Sequence, residues 1–111
     1  WSLAEPQLRG HLALLERAKN IAPADPQVAS ETGRVLLTLG RDNEALAEFG
    51  RAVALAPEDP RYINNRGVAL CTMGFRDAAV KDFQRALQMD PSLSDARKNL
   101  TRCAVTSSDA N

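Results

Sequence analysis

The chain has 111 residues, of which 44% are hydrophobic and 25% are charged, as in an ordinary folded domain. Its 14 basic residues balance its 14 acidic residues, so net charge gives no long-range attraction to nucleic acid or to an anionic membrane. No apolar run approaches the roughly 20 residues that span a bilayer, so we expect neither a nucleic-acid partner nor membrane insertion.

The first predicted element is a helix over about residues 6–21. Pro6 suits a first helical turn, where a missing N–H costs nothing. Apolar residues then recur at helical spacing and form one face: Leu8, Leu12, Leu15, Ala18 and Ile21.

The next two stretches, 26–59 and 60–93, repeat one another at a period of 34 residues, which indicates a helix-turn-helix repeat. Ten positions are identical between them: Pro26/Pro60, Gly33/Gly67, Leu36/Leu70, Thr38/Thr72, Gly40/Gly74, Ala45/Ala79, Phe49/Phe83, Arg51/Arg85, Ala52/Ala86 and Pro57/Pro91.

Each stretch starts with an Asp-Pro pair, in which the carboxylate can cap a helix and proline fits its first position. The pattern predicts a first helix (A) and a second helix (B) in each repeat, at about 26–39 and 42–55, then at about 60–73 and 76–89. Gly40 and Gly74 stand where a left-handed residue ends helix A.

Each A helix also carries a glycine in its middle, Gly33 or Gly67. Such a glycine costs about 1 kcal/mol relative to alanine, which makes sense if helix B crosses so near that a methyl group would clash. A last helix is predicted over about 94–106, followed by a polar tail, 107–111. Thr101 takes the glycine position there and would obstruct a further B helix, so this helix is expected to end the stack.

Glycine at repeat positions 8 and 15, alanine at 20 and 27, phenylalanine at 24 and proline at 32 closely resemble the tetratricopeptide repeat (TPR). The resemblance implies an all-α, right-handed α–α superhelix that forms a single domain over 1–111. Residues 6–22 would then be helix B of a truncated repeat, followed by full repeats at 26–59 and 60–93 and by the terminal helix. The resemblance also implies a protein-interaction module whose A helices line a concave groove.

Carried over position by position, the resemblance gives a peptide-binding groove on three A helices: Arg34, Thr38, Arg61, Asn64, Asn65, Val68, Thr72, Lys98, Asn99 and Arg102. The family's carboxylate-clamp pattern is not met, because only Asn65 fits it. The side chains of Asn65 and Asn99, at one repeat position, could hold the backbone of an extended peptide, or they could simply be solvated.

The cations in this set could likewise attract an acidic partner or form a solvated face. Charges on the B helices, such as Lys81, are interpreted as solvated surface.

Residues with catalytic or metal-binding chemistry are few. Cys71 and Cys103 are too distant in sequence for a C-x-x-C motif, and His11 has no histidine or cysteine beside it. Phosphate-loop, nucleophile-elbow and zinc-protease motifs are absent. The sequence therefore predicts no enzymatic activity, no cofactor and no metal, and assigns His11 to structure. Both thiols are expected to be free, since neither closes a loop that the stack requires.

Two functional hypotheses follow. The first is a scaffold that binds a protein or peptide segment in the groove. The second is a structural or self-associating segment of a larger assembly factor. The stretches N-N-R-G-V-A-L and A-R-K-N-L resemble segments of bacterial TPR proteins of secretion and pilus assembly.

The amino-terminal helix lacks an A partner, so Leu8, Leu12 and Leu15, or residues beside them, are expected to stay partly uncovered and to support self-association. The chain opens at Trp1 and not at methionine, which suggests a fragment or a processed product. A soluble, cytoplasmic location is favoured, with the periplasm open if a signal peptide was removed.

Overall fold

The computed structural model describes residues 4–109, with side chains over residues 5–105, and contains six α-helices there. The helices are α1 (Ala4–Ile21), α2 (Pro26–Thr38), α3 (Asp42–Leu55), α4 (Pro60–Thr72), α5 (Arg76–Met89) and α6 (Ser94–Asp109). No β-strand occurs in this described part of the chain, and the all-α prediction is confirmed. Helix α6 continues three residues beyond its predicted end, and residues 110 and 111 of the predicted tail lie outside the described residues.

The A helices of the two full repeats, α2 and α4, begin in the same way. The Asp25 carboxylate accepts a hydrogen bond from the backbone N–H of Gln27 at 2.9 Å, and that of Asp59 accepts one from Arg61 at 3.0 Å. In each case a proline follows at the first helical position. The caps satisfy backbone donors that a helix start leaves without partners, so the Asp-Pro pairs set where these helices begin.

Both A helices also end in the same way. Gly40 and Gly74 have φ angles of 81° and 88°, in the left-handed region that favours glycine. The N–H of the residue after each glycine donates to a carbonyl five residues earlier, at 2.9 Å for Arg41 and 2.8 Å for Phe75. This bond is the signature of a Schellman-type helix end, and it turns the chain tightly into helix B.

The chain divides into two compact units at Ala56 and Pro57. In the first unit α2 packs against α3 and α1 packs against α2. The buried ring of Phe49 on α3 lies against Gly33 on α2: a Cβ built on that glycine would be 3.0 Å from the ring. The close approach of helices A and B inferred from the glycine therefore exists, and an aromatic ring makes it.

The second unit repeats this arrangement with α4 against α5, and it adds α6, which packs on both α5 and α4. The contact is tighter here, because a Cβ on Gly67 would lie 2.6 Å from Cε1 of Phe83. The alanines that recur on the B helices are fully buried in both units and present small surfaces there: Ala45, Ala52, Ala79 and Ala86.

The exposure of α1 differs from the expectation in its detail. Leu12 and Leu15 are buried, so they are not the uncovered residues of this helix. Leu8 is half-buried and so stays partly uncovered, while the most exposed apolar residues of the helix are Leu14, 62% exposed, and Ile21, 84% exposed. Ile21 was placed on the inward face by helical spacing, but it is the last residue of α1, and spacing alone does not show where the packing partners stop.

Candidate functional site

In the second unit, two asparagine side chains on neighbouring helices are hydrogen-bonded to each other. Asn64 on α4 is buried, and its side-chain carbonyl accepts a hydrogen bond of 3.1 Å from Nδ2 of Asn99 on α6. Asn64 was predicted as a groove residue. The structure makes it the partner that orients Asn99, which is only half-buried and stays accessible.

A second link joins the same two helices, and it corrects the expectation of free thiols. Cys71 on α4 and Cys103 on α6 form a disulfide, with Cα atoms 6.1 Å apart, inside the range that a disulfide can bridge. Free thiols were predicted because the fold does not require a closed loop. Whether two cysteines form a disulfide depends instead on how close the fold brings them. Two stacked A helices bring repeat position 12 of one beside position 10 of the next.

A cavity of about 100 Å³ lies where α4, α5 and α6 meet. We call it the Asn99 cavity. It is lined by Val68, Cys71, Thr72, Phe83, Asn99, Arg102 and Cys103. Four predicted groove residues, Val68, Thr72, Asn99 and Arg102, are therefore brought together. The volume is below the roughly 300 Å³ at which small-molecule sites begin, so the cavity has the size of a side-chain subsite.

The other predicted residues of this unit lie outside the cavity lining. Arg61 is exposed and forms a bidentate ion pair with Asp59. Its Nη2 lies 2.6 Å from Oδ2, and its Nε lies 3.0 Å from Oδ1. These hydrogen bonds raise the pKa of Arg61 and lower that of Asp59. The Arg61 guanidinium also lies 5.5 Å from the Tyr62 ring centroid. Because Asp59 balances its charge, Arg61 adds little to the attraction of an acidic partner. Asn65 is half-buried and Lys98 is exposed.

Arg34 and Thr38 belong to the first unit, where they line a groove of about 320 Å³ between α1 and α2. We call it the α1–α2 groove, and its lining is Leu8, His11, Glu31, Arg34, Val35 and Thr38. The Thr38 hydroxyl donates to the Arg34 carbonyl at 2.9 Å. His11, assigned to structure from the sequence, is an exposed wall of this groove.

The sequence did not reveal the ionic cluster that joins α4 to α5. Asp82 is buried and accepts two hydrogen bonds from Arg66, at 2.8 and 2.9 Å, and one from Arg85 at 2.8 Å. The bond to Asp82 raises the pKa of Arg66. The available signal was Arg66 itself, a charged residue whose counterpart in the first repeat is the uncharged Thr32. The cluster therefore links α4 to α5 through the buried carboxylate of Asp82.

The corresponding position of the first unit is also acidic. Glu48 on α3 is half-buried and accepts a hydrogen bond of 3.1 Å from Nζ of Lys19 on α1. Charges on the B helices are thus not all solvated surface. The exposed Lys81 agrees with that interpretation, and Glu48 and Asp82 do not.

The described residues contain neither a candidate metal site nor a candidate membrane span. No group of three or more His, Cys, Asp or Glu side chains within them is arranged to hold a metal ion. None of the helices in this part of the chain is long and apolar enough to cross a membrane.

Comparison with known proteins agrees with this architecture. Residues 60–93 match the family model of the tetratricopeptide repeat, over the same stretch that the internal period defines as one repeat. This match identifies residues 60–93 as a tetratricopeptide repeat, and together with the helical arrangement it supports the resemblance of the chain to the tetratricopeptide-repeat family. No curated protein sequence matches the chain.

Solved structures with the same fold include the first TPR domain of Spaghetti (RPAP3), bound to the HSP90 peptide SRMEEVD. It has a TM-score of 0.83 and 18% identity, over 96% of this chain and 84% of that one. The thermophilic TPR protein TTC0263 of Thermus thermophilus gives a TM-score of 0.87 and 23% identity, over 94% of this chain and 53% of that one. The second TPR domain of human RPAP3, in complex with the HSP70 peptide SGPTIEEVD, gives 0.80 and 19%, over 92% and 85%.

Proposed function

We propose that this chain is a non-enzymatic protein-interaction module that binds an extended peptide segment across α4 and α6, with one side chain in the Asn99 cavity. The observation that carries the proposal is the oriented amide of Asn99 at that cavity, beside Thr72 and Arg102. Two proteins of the same fold bind peptides, the HSP90 and HSP70 segments named above, and this supports the class of ligand.

Asn99 has the chemistry to hold a peptide backbone. One of its two amide hydrogens goes to Asn64, so a second hydrogen and the carbonyl oxygen remain available. That pair can donate to a peptide C=O and accept from a peptide N–H, and this recognition is independent of the peptide's sequence. Asn64 is buried, which holds the orientation before the ligand arrives and lowers the entropy cost of binding.

The side chains around Asn99 favour an acidic residue in the partner. Arg102 is exposed at the cavity and brings a positive charge, while the Thr72 hydroxyl donates to the Val68 carbonyl at 2.9 Å and offers its oxygen as an acceptor. Val68 and Phe83 form the apolar part of the cavity wall. A short acidic or polar side chain beside an apolar contact fits this lining, and charge complementarity would raise the association rate most.

The proposed recognition differs from a clamp on a C-terminal carboxylate. The family's clamp pattern is met only at Asn65, so the proposal uses the peptide backbone and one side chain. It therefore does not require a free carboxyl terminus on the ligand.

The test is a selection from a library of displayed random peptides, followed by titration of the selected peptide by fluorescence anisotropy. Asn99→Ala should weaken binding by about tenfold, because it removes two hydrogen bonds of about 0.5–1.5 kcal/mol each. Arg102→Glu should lower the association rate and its dependence on salt. Lys81→Ala, on the exposed side of α5, is the matched control and should change nothing. Loss of affinity in the control with none in Asn99→Ala would refute the proposal.

The second candidate function, a self-associating segment, is favoured by one observation: the exposed leucine and isoleucine on α1, Leu14 and Ile21. Apolar side chains left on a helix in this way often mark a contact site. This surface lies in the first unit and is separate from the Asn99 cavity.

A further inference from the structure

A disulfide ties together the two helices that carry the proposed peptide site. Cys71 on α4 and Cys103 on α6 both line the Asn99 cavity. Asn99 lies one helical turn before Cys103, so the disulfide and the Asn64–Asn99 hydrogen bond join the same two helices one turn apart on α6. The disulfide is therefore both a part of the cavity wall and a cross-link between the helices that form the cavity.

The two cysteines of this disulfide differ in their surroundings. Cys103 is 1% exposed and belongs to an apolar cluster with Ala79 and Phe83. Cys71 is half-buried and packs against the edge of that cluster. Thiol–disulfide exchange requires a thiolate to reach one of the two sulfur atoms, so access decides which one is attacked. Cys71 is the more accessible of the two and is the expected point of attack.

Breaking the disulfide would change the cavity more than the helices around it. Two separate thiols cannot approach as closely as two bonded sulfur atoms, so the reduced side chains must move apart. Cys103 is enclosed by the core, whereas the open space beside Cys71 is the Asn99 cavity. Helix α6 still packs on α5, through Cys103 against Phe83. Its spacing from α4 then depends on the Asn64–Asn99 bond, a neutral hydrogen bond of 3.1 Å that is weak on its own.

We propose that the Cys71–Cys103 disulfide controls peptide binding at the Asn99 cavity: the oxidised chain binds the peptide, and reduction by a dithiol weakens binding. This inference rests on the proposed peptide-binding function. In the oxidised chain the cross-link holds α6 at the spacing from α4 at which Asn99 is oriented. In the reduced chain that arrangement is one of several, and the apparent affinity falls in proportion to the fraction of molecules that keep it. If about one molecule in ten keeps it, the affinity falls about tenfold.

Reduction by a dithiol takes place in two steps. A thiolate of the dithiol attacks Sγ of Cys71, which forms a mixed disulfide and breaks the bond to Cys103. The Cys103 sulfur leaves with the bonding electron pair and takes up a proton, because an apolar core disfavours a charge. The second thiol then attacks the dithiol's own sulfur in the mixed disulfide and releases Cys71, which is also protonated. Two electrons pass from the dithiol to the protein, and the dithiol becomes a disulfide.

The test measures the binding of one peptide to the same chain in two redox states. A cysteine-free peptide is selected from the displayed library on the oxidised full chain, and its Kd is measured by fluorescence anisotropy before and after treatment with dithiothreitol. Mass spectrometry after thiol alkylation counts the free thiols in each sample. Reduction should raise the Kd about tenfold, and reoxidation should restore it. The matched control is the double variant Cys71→Ala with Cys103→Ala, which should bind like the reduced chain whether or not dithiothreitol is present.

A second readout, ¹H–¹⁵N NMR of the chain without peptide, shows whether the change is local. Reduction should shift the side-chain amide of Asn99 and leave unchanged the backbone amides of the first unit, such as that of Gly33. Helix content, followed by circular dichroism, should stay the same.

The outcomes separate this inference from the function on which it rests. An unchanged Kd in a chain shown to carry two free thiols would overturn the inference and leave the proposed function standing. Loss of helix content on reduction would also overturn it, because the disulfide would then hold the whole unit and not the site. An oxidised chain that binds no selected peptide would refute the proposed function, and this inference with it.

Discussion

Replacing Gly67 by alanine puts a methyl group where Phe83 already lies. The added Cβ would be 2.6 Å from Cε1 and 2.9 Å from Cδ1 of a ring that is 1% exposed. Ordinary carbon contacts are about 3.5–4.0 Å, so a buried ring would have to move by about 1 Å. Overpacking of this kind costs about 1–3 kcal/mol, and the gain in helix propensity is about 1 kcal/mol. We expect a net destabilisation of up to about 2 kcal/mol.

Gly33→Ala is the matched control, because the first unit has the same glycine and the same facing aromatic position. There a Cβ would lie 3.0 Å from the Phe49 ring, so the ring must give by only a few tenths of an ångström. The overpacking cost and the gain in helix propensity should then cancel to within about 0.5 kcal/mol. The substitution is the same in both variants, so its effect on the unfolded chain cancels between them.

The assay is urea unfolding followed by circular dichroism at 222 nm, with midpoints compared at equal slope. Gly67→Leu should cost several kcal/mol by the same contact. Adding Phe83→Leu to Gly67→Ala should recover part of the loss, because the two residues touch. A Gly67→Ala variant at least as stable as Gly33→Ala would refute the account of how α4 and α5 pack.

Three further predictions concern stability. Cys71→Ser should lower the free energy of unfolding by about 3.5 kcal/mol, because the lost disulfide closes a loop over a sequence separation of 32; urea melts with and without reductant check this, and a wild type insensitive to reductant would contradict it. Asp82→Ala should cost about 2 kcal/mol by leaving partly exposed arginines without their buried carboxylate, against less than about 0.5 kcal/mol for Lys81→Ala. Asp59→Asn keeps a capping oxygen but removes the charge that pairs with Arg61, and the pKa of Asp59 is lowered in the fold. The stability that the charged Asp59 adds is complete above the ordinary aspartate pKa and is lost as pH falls through the lowered pKa of the folded state. The difference in unfolding free energy between wild type and Asp59→Asn should therefore close below about pH 4. A difference that stays the same between pH 7 and pH 3 would contradict this prediction.

The sequence predicted the helices well because their ends depend on local chemistry. Asp25 and Asp59 cap helices from one residue outside them, and Gly40 and Gly74 take a conformation that few other residues tolerate. These effects act over a few residues and are repeated at a fixed period. For this reason both the class of fold and the positions of the turns could be predicted without knowing how the helices pack.

The site was less predictable because it depends on distances between helices. The repeat positions of Asn64 and Asn99 predicted that both lie on one side of the stack. They did not predict the hydrogen bond between the two side chains, in which Asn64 is buried and Asn99 stays accessible. The disulfide was missed for a similar reason. A separation of 32, two short of the repeat length, was the signal that Cys71 and Cys103 lie on neighbouring A helices.

The central claim, that a peptide lies across α4 and α6, is tested most directly by mapping a selected peptide on the protein with ¹H–¹⁵N NMR. The peptide is the one obtained from the displayed library, titrated into the labelled full chain. We predict the largest shifts at the side-chain amide of Asn99 and the backbone amides of Val68, Thr72 and Arg102, with Lys81 unmoved. Shifts centred on the exposed side of α5 with Asn99 unchanged would contradict the claim.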